Sequence, residues 1–330
     1  MTNAQEITTA MKAQTIGVEI EMNNIKRSDA AKIAADYFGT GRYEDTNYRH
    51  GYRAWSAWDA QGREWKFVRD VSIHGIDEEK CELNTPILHY EDIELLQGLV
   101  RALRKAGAKS DASRGCGVHI HIGADGQTAG SLRNLANIMA SHESLLIHAL
   151  HLDASRIDHY CQMVDPRFLE QINKYKPTTM SRLEDIWYKS QGADWDRTAH
   201  YNSSRYHMLN LHATFTKGTV EFRLFQFDTP TQDRKGGLHA GQLKSYIQLC
   251  LALCQAAKTL RYASPKEPQH QNEKYAMRTW LLRLGFIGDE YATARDILTR
   301  NLDGDGAFRH ERPAFHKAPV TATTMAAALN

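Results

Sequence analysis

GVHIHIG, residues 117–123, reads as a β-strand whose two faces differ in chemistry. Successive side chains on a strand point to opposite sides. Val118, Ile120 and Ile122 therefore form one apolar row, and His119 and His121 form the other. Upstream, GVEIEM (17–22) repeats the pattern, with Val18, Ile20 and Met22 set against Glu19 and Glu21. Downstream, TVEFRLF (219–225) sets Val220, Phe222 and Leu224 against Glu221 and Arg223. Taken singly, an E-x-E on a half-buried strand is ordinarily a solvated face, although two imidazoles at period 2 can meet one cation. The combination says more. A solvated sheet face mixes Lys, Thr, Gln and Ser, whereas these polar rows hold only Glu, His and Arg.

Those types suit one task. Hard divalent cations take oxygen ligands, and neighbouring carboxylates repel one another unless a cation lies between them. An imidazole completes such a site, and an arginine beside it matches a phosphoryl group with its planar fork. Gly115 and Gly117, next to the histidine pair, permit close backbone approach. A fourth stretch, CELNTPIL (81–88), carries Glu82 on a strand that Pro86 stops. Asp70 and Ser72, in KFVRDVSI (66–73), close the strand before it, and Asp70 also has the character of a turn-forming aspartate.

Around these strands the sequence alternates between sheet and helix without a βαβ rhythm. Residues 28–38 read as a helix with Ser28 as N-cap and Gly39 after it. Residues 51–58 and 64–69 read as a hairpin about the turn at 60–63, and 79–84 as a short strand. Residues 91–106 form an amphipathic helix with Ile93, Leu96, Leu99, Val100 and Leu103 in one stripe and Gly107 at its end. One long helix is expected over 129–152 and another over 236–262. Strands 206–213 and 218–225 are expected to flank a tight turn at 216–218. Residues 165–203 read as irregular or short-helical, 264–276 as a linker before two short helices, and 303–330 as loosely ordered. Helices inserted between hairpin-connected strands predict an α+β fold with a mainly antiparallel sheet.

Composition sets the remaining bounds. The 330 residues are 42% hydrophobic and 24% charged, enough to bury a sizeable core. A formal net charge of +2 gives no electrostatic reason to expect a nucleic acid or an anionic membrane as partner. Five cysteines in no framework spacing read as reduced thiols, the N-terminal residues lack an apolar signal core, and no run is long enough to span a membrane. The expectation is a cytoplasmic protein. No signal for an oligomeric state is present.

The ordered motifs GVEIEM, RDVSI, CELNTPIL, GCGVHIHIG and RYHMLNLHATFTKGTVEFRLF together resemble the amidoligase family, carboxylate–amine ligases of glutamine-synthetase-like fold. The match covers roughly residues 15–260, and its most specific part is Arg205, Asn210, Glu221 and Arg223 in the family's R…N…(T)VEFR pattern. The resemblance implies a curved antiparallel sheet with helices on its outer face. It also implies ATP and Mg2+ (or Mn2+) as cofactors, and a carboxylate and an amine as substrates, the latter drawn from amino acids, peptides or protein side chains. By motif position, Glu19, Glu21, Glu82, His119 and Glu221 look like metal ligands. His121, Arg205, Ser72 and Asn210 look like nucleotide contacts, and Arg223, Arg205 and Asp70 like the catalytic set. Such an enzyme would phosphorylate the carboxylate to an acyl phosphate, which the amine attacks. Where relatives commonly read D-G-S, this chain has Asp70-Val71-Ser72, without the glycine. The implied division is an N-terminal segment at 1–14, a catalytic domain at 15–262, and a helical extension with a loose tail at 263–330.

Three other readings compete. A metal-dependent enzyme without ATP would use His119 and His121, but Ile122, Gly123, Ala124 and Asp125 follow instead of a glutamate three or four residues on. A Cys116–His119 nucleophile pair would need residues three apart on a strand to share a face, which they do not. A non-catalytic single-strand binder would use Trp55, Trp58, Trp65, Arg53, Arg63 and Lys66, which hairpin packing explains more simply.

Overall fold

All three alternating stretches become strands of one sheet. The computed structural model describes residues 3–232 and 234–310. Its strands are β1 (Ile16–Met22), β2 (Tyr43–Asp45), β3 (Trp55–Trp58), β4 (Glu64–Val68), β5 (Cys81–Asn84), β6 (Val118–Gly123), β7 (Leu209–Asn210) and β8 (Thr219–Phe225). They lie in the order β2-β3-β4-β5-β1-β6-β8-β7, and each neighbouring pair is antiparallel. The α+β antiparallel expectation therefore holds.

The helices in chain order are α1 (Asn3–Lys12), α2 (Arg27–Tyr37), α3 (Asn47–His50), α4 (Ile93–Lys105), α5 (Ala129–Ala140), α6 (Glu143–Leu150) and α7 (Ala154–His159). After these come α8 (Pro166–Tyr175), α9 (Met180–Ser190), α10 (His212–Lys217), α11 (Ala240–Thr259), α12 (Glu273–Arg283) and α13 (Ala292–Thr299). The strongly apolar α11 packs on β6, α4, α5, α1 and α13, while α2 covers β3 and β4. These helices cover the apolar rows: Ile20, Met22, Val118, Ile120 and Phe222 are wholly buried. Each such side chain contributes about 1.5–3 kcal/mol through burial. With one face of the sheet committed to the core, the polar rows are left on the other. No helix among the described residues is long and apolar enough to cross a membrane.

Several boundaries differ from expectation for local reasons. Residues 206–213 are not a continuous strand: Asn210 Oδ1 accepts from the His212 N–H (2.9 Å) and turns the chain into α10. The expected turn at 216–218 is the end of that helix, closed by Gly218 at φ 70°. The helix expected over 129–152 is two, α5 and α6. Ser141 Oγ and the His142 ring both compete for the Ile138 carbonyl, and His142 stacks on Trp280. α2 begins one residue before Ser28, whose side chain caps nothing, because Arg27 is drawn inward onto the carbonyls of Arg53, Asp77 and Lys80. Segment 165–203 contains α8 and α9, each started by a side-chain cap from Asp165 or Thr179. Part of the expected loose stretch at 303–330 lies outside the described residues.

Candidate active site

Register decides which polar groups meet, because directly opposed residues on neighbouring strands share a face. Glu19 stands opposite His119 on one side and Asn84 on the other. Glu21 stands opposite Glu82. His121 stands opposite Glu221, which in turn faces Asn210. Residues from five strands thus converge on one face. That face lines a cleft of about 930 Å³.

Two groups of potential ligands sit side by side in it. In the first, ligand atoms of Glu19, His119 and Glu221 all lie within 4.8 Å of one another; in the second, those of Glu21, Asp70 and Glu82 do. Three carboxylates that close, without a counter-charge, repel strongly. The donor set of both groups, oxygen-rich with one imidazole, fits a hard divalent cation such as Mg2+ or Mn2+.

Supporting bonds hold these side chains in place. His119 Nδ1 meets Glu19 Oε2 at 3.0 Å. The His121 ring is fixed from both sides, by Thr219 Oγ1 at 3.0 Å and by Glu19 Oε1 at 3.2 Å. Glu221 accepts from Arg223 Nη1 (2.6 Å) and from Asn210 Nδ2 (2.7 Å). Glu21 accepts from the Gly117 N–H (2.6 Å), and Glu82 from Asn84 Nδ2 (2.8 Å). Asp70 does two things at once: Oδ1 accepts from both the N–H and the hydroxyl of Ser72 at 2.6 Å, and the residue still joins Glu21 and Glu82. Asp70 thus shapes the turn and also lies beside the two glutamates.

The charges separate by environment. Burial pushes the Glu82 carboxyl up, and the nearby charges of Glu19, Glu21 and Asp70 drive it well above the usual range. Burial also pushes Glu19 up, but the His121 and His119 imidazoles outweigh it and hold that carboxyl well below its ordinary value. Against the same burial, Arg223 and then His121 bring Glu221 down to about 2. His121 is raised because Glu221 and Glu19 more than offset its own burial.

Every expected residue lines the cleft except Glu221 and Asn210, which line a smaller cavity of about 190 Å³. Asn210 is buried behind Glu221; its amide is occupied by Glu221 and by the start of α10. Arg205 lines both cavities, lies over the rings of Tyr201 and Tyr206, and donates to the His200 carbonyl (2.7 Å). Cys116 does not line the cleft; it is wholly buried, and burial pushes its thiol far up, away from nucleophilic use. The hairpin aromatics pack rather than present a binding platform: Trp65 is wholly buried, its indole donates to Asp59 (2.9 Å), and Arg42 lies over Trp58.

Sequence reading missed Asn84, Thr219, Lys66, Lys217, Tyr160 and Arg156, all of which line the cleft. Asn84 and Lys66 could have been found from strand alternation once the β4–β5–β1 register was known. Arg156 sits on α7, outside every motif.

The polar face of the sheet thus gathers six acidic or imidazole groups and a buried arginine. Residues 12–254 match the family described as "putative amidoligase enzyme", and the chain belongs to this amidoligase family. Among solved structures, a bifunctional glutathione synthetase from Pasteurella multocida aligns at 12% identity and a TM-score of 0.44. The alignment covers 90% of this chain and 48% of that one, so the chain spans about half the length of that relative. No curated protein sequence matches.

Proposed function

We propose that this protein is an ATP- and magnesium-dependent carboxylate–amine ligase that forms an amide or peptide-type bond through an acyl phosphate, on a sheet of glutamine-synthetase-like type. The observation that carries the reading is the pair of ligand groups, Glu19–His119–Glu221 and Glu21–Asp70–Glu82, five of whose six residues line the cleft. Divalent cations bound there would supply charge neutralisation for phosphate oxygens. The rest falls to the chain. Arg223, held by Glu221, and Arg205, which also lines the cleft, would present guanidinium groups to anionic oxygens entering it. His121, fixed by Thr219 and Glu19, offers a rigid donor beside them. Ser72 orders the Asp70 loop instead of reaching outward. Asn210 orients Glu221 from behind, which is a positioning role. The amine must be neutral to attack, so a carboxylate near it would accept its proton.

The test is to incubate the protein with magnesium, ATP and pooled carboxylates in the presence of hydroxylamine, measuring phosphate release and hydroxamate mass. Hydroxamate formed only with ATP and the metal is the expected result. Metal-dependent turnover that proceeds equally without ATP would replace the ligase reading with a hydrolytic one.

A further inference from the structure

Arg156 is a buried cation without an ion-pair partner. Its residue is only 5% exposed. One terminal nitrogen, Nη2, donates to the carbonyls of Arg223 (3.1 Å) and Phe225 (3.2 Å). Nε is buried and has no partner. Among the described residues no carboxylate pairs with this guanidinium, and Nη1 has no protein acceptor. The side chain nonetheless lines the cleft, beside Tyr160 and Arg223.

Its position depends on a missing side chain. A Cβ at Gly117 would stand 2.3 Å from Nη1 and 2.6 Å from the guanidinium carbon, so only glycine lets the group lie against β6 here. The Gly117 N–H is the one that holds Glu21. The cation therefore lies over the peptide that positions the second ligand group, next to the strand that carries Arg223.

Anchoring α7 to two backbone carbonyls does not require a charge; a neutral amide donor would serve. Burying a guanidinium without an ion-pair partner costs several kcal/mol, and only two backbone carbonyls and the more distant Asp153 charge offset it. We propose that Arg156 binds an anionic oxygen of a cleft ligand, a phosphate or a carboxylate, as the partner of Arg223. This extends the ligase reading of the same cleft, and the test is chosen to stand apart from it.

The experiment measures binding of two probes, tripolyphosphate and acetate, each with magnesium, by calorimetry and by shift in melting temperature. Wild-type protein is compared with Arg156→Gln and Arg156→Lys. We expect wild-type protein to bind at least one probe and Arg156→Gln to weaken it about 10- to 100-fold, the worth of a hydrogen bond to a charged group. Arg156→Lys should recover part of that loss. Without probe, Arg156→Gln should melt no lower than wild type, since it removes a charge without an ion-pair partner. Weakening confined to tripolyphosphate assigns the site to a phosphate, and weakening confined to acetate assigns it to a substrate carboxylate. Equal affinity in wild type and Arg156→Gln, or no binding of either probe by wild type, overturns the proposal. If Arg156→Gln does not fold, Arg156→Lys decides alone: an unchanged affinity overturns, a weakened one supports. Anion binding through Arg156 in a protein that never consumes ATP would remove the ligase reading and leave this one standing.

Discussion

Glu21 and Glu82 stand directly opposite each other on the neighbouring strands β1 and β5, where a sheet ordinarily places opposite charges. Asp70 joins them from the loop after β4. Without a cation this arrangement works against the fold, and burial, then the charges of Glu19, Glu21 and Asp70, displace the Glu82 carboxyl upward.

Glu82→Gln should therefore melt at the same temperature as wild type or higher when no divalent ion is present, since Asn84 can still donate to the amide oxygen. Adding magnesium or manganese should raise the wild-type melting temperature and leave the variant nearly unmoved. Equal metal-induced shifts in both proteins would remove Glu82 from the ligand set.

Arg223 and Glu221 form a buried pair, not the exposed surface pair that two residues on one strand face suggest. Removing the charge with Arg223→Met should cost about 3–5 kcal/mol, because Glu221 is left buried alone. Arg223→Lys keeps the charge and should cost much less stability. It should still lower ATP turnover on the order of 10²-fold, as losing a two-point contact to a developing charge does. Denaturant melts and turnover rates of both variants check this; an unchanged rate in Arg223→Lys would end the assigned role.

Glu143, at the start of α6, is buried with only the Val164 N–H to bind it, and burial pushes its carboxyl up to about 8. The folded value lies above the ordinary 4.5, so the folded state keeps a proton that the unfolded chain releases. The stabilising contribution is full below about pH 4.5 and is lost as pH rises toward 8. Within that window each pH unit costs up to about 1.4 kcal/mol. Glu143→Gln should gain on wild type steadily across it. Parallel melting profiles from acid to neutral pH would show that Glu143 does not titrate this way.

Cys116 abuts the histidine strand but is buried with its thiol donating toward the Arg114 carbonyl. Cys116→Ala should keep full turnover, and iodoacetamide should label the native wild-type thiol only slowly. Loss of turnover on this substitution would revive the thiol as a nucleophile.

The catalytic face was legible where its signal is local. Alternation in GVEIEM, GVHIHIG and TVEFRLF marks which side chains share a face, and that is a property of a few consecutive residues. The partner of each strand is not local. Nothing in CELN indicates that Glu82 will lie opposite Glu21, or that the Asp70 loop will fold back to make a third. Asn210 misled for a related reason: in a strand-like run its side chain captured a backbone N–H and started a helix, a competition that periodicity does not register. Arg156 left no pattern at all, because its place is set by the absence of a side chain at Gly117, on a different element.

The strand order also governs when the protein can act during its own synthesis. β1 leaves the ribosome before its partner strands: Glu19 meets His119 across 100 residues of chain, and Glu221 and Arg223 follow later still. A nascent chain that has reached β5 carries Glu21 against Glu82 with the other edge of β1 still unpaired, a segment both self-repelling and open to wrong partners. Such long-range pairing is slow to form. The cleft thus stays incomplete until β8 has been made, because neither the Glu19–His119–Glu221 group nor the buried Arg223 is assembled before then.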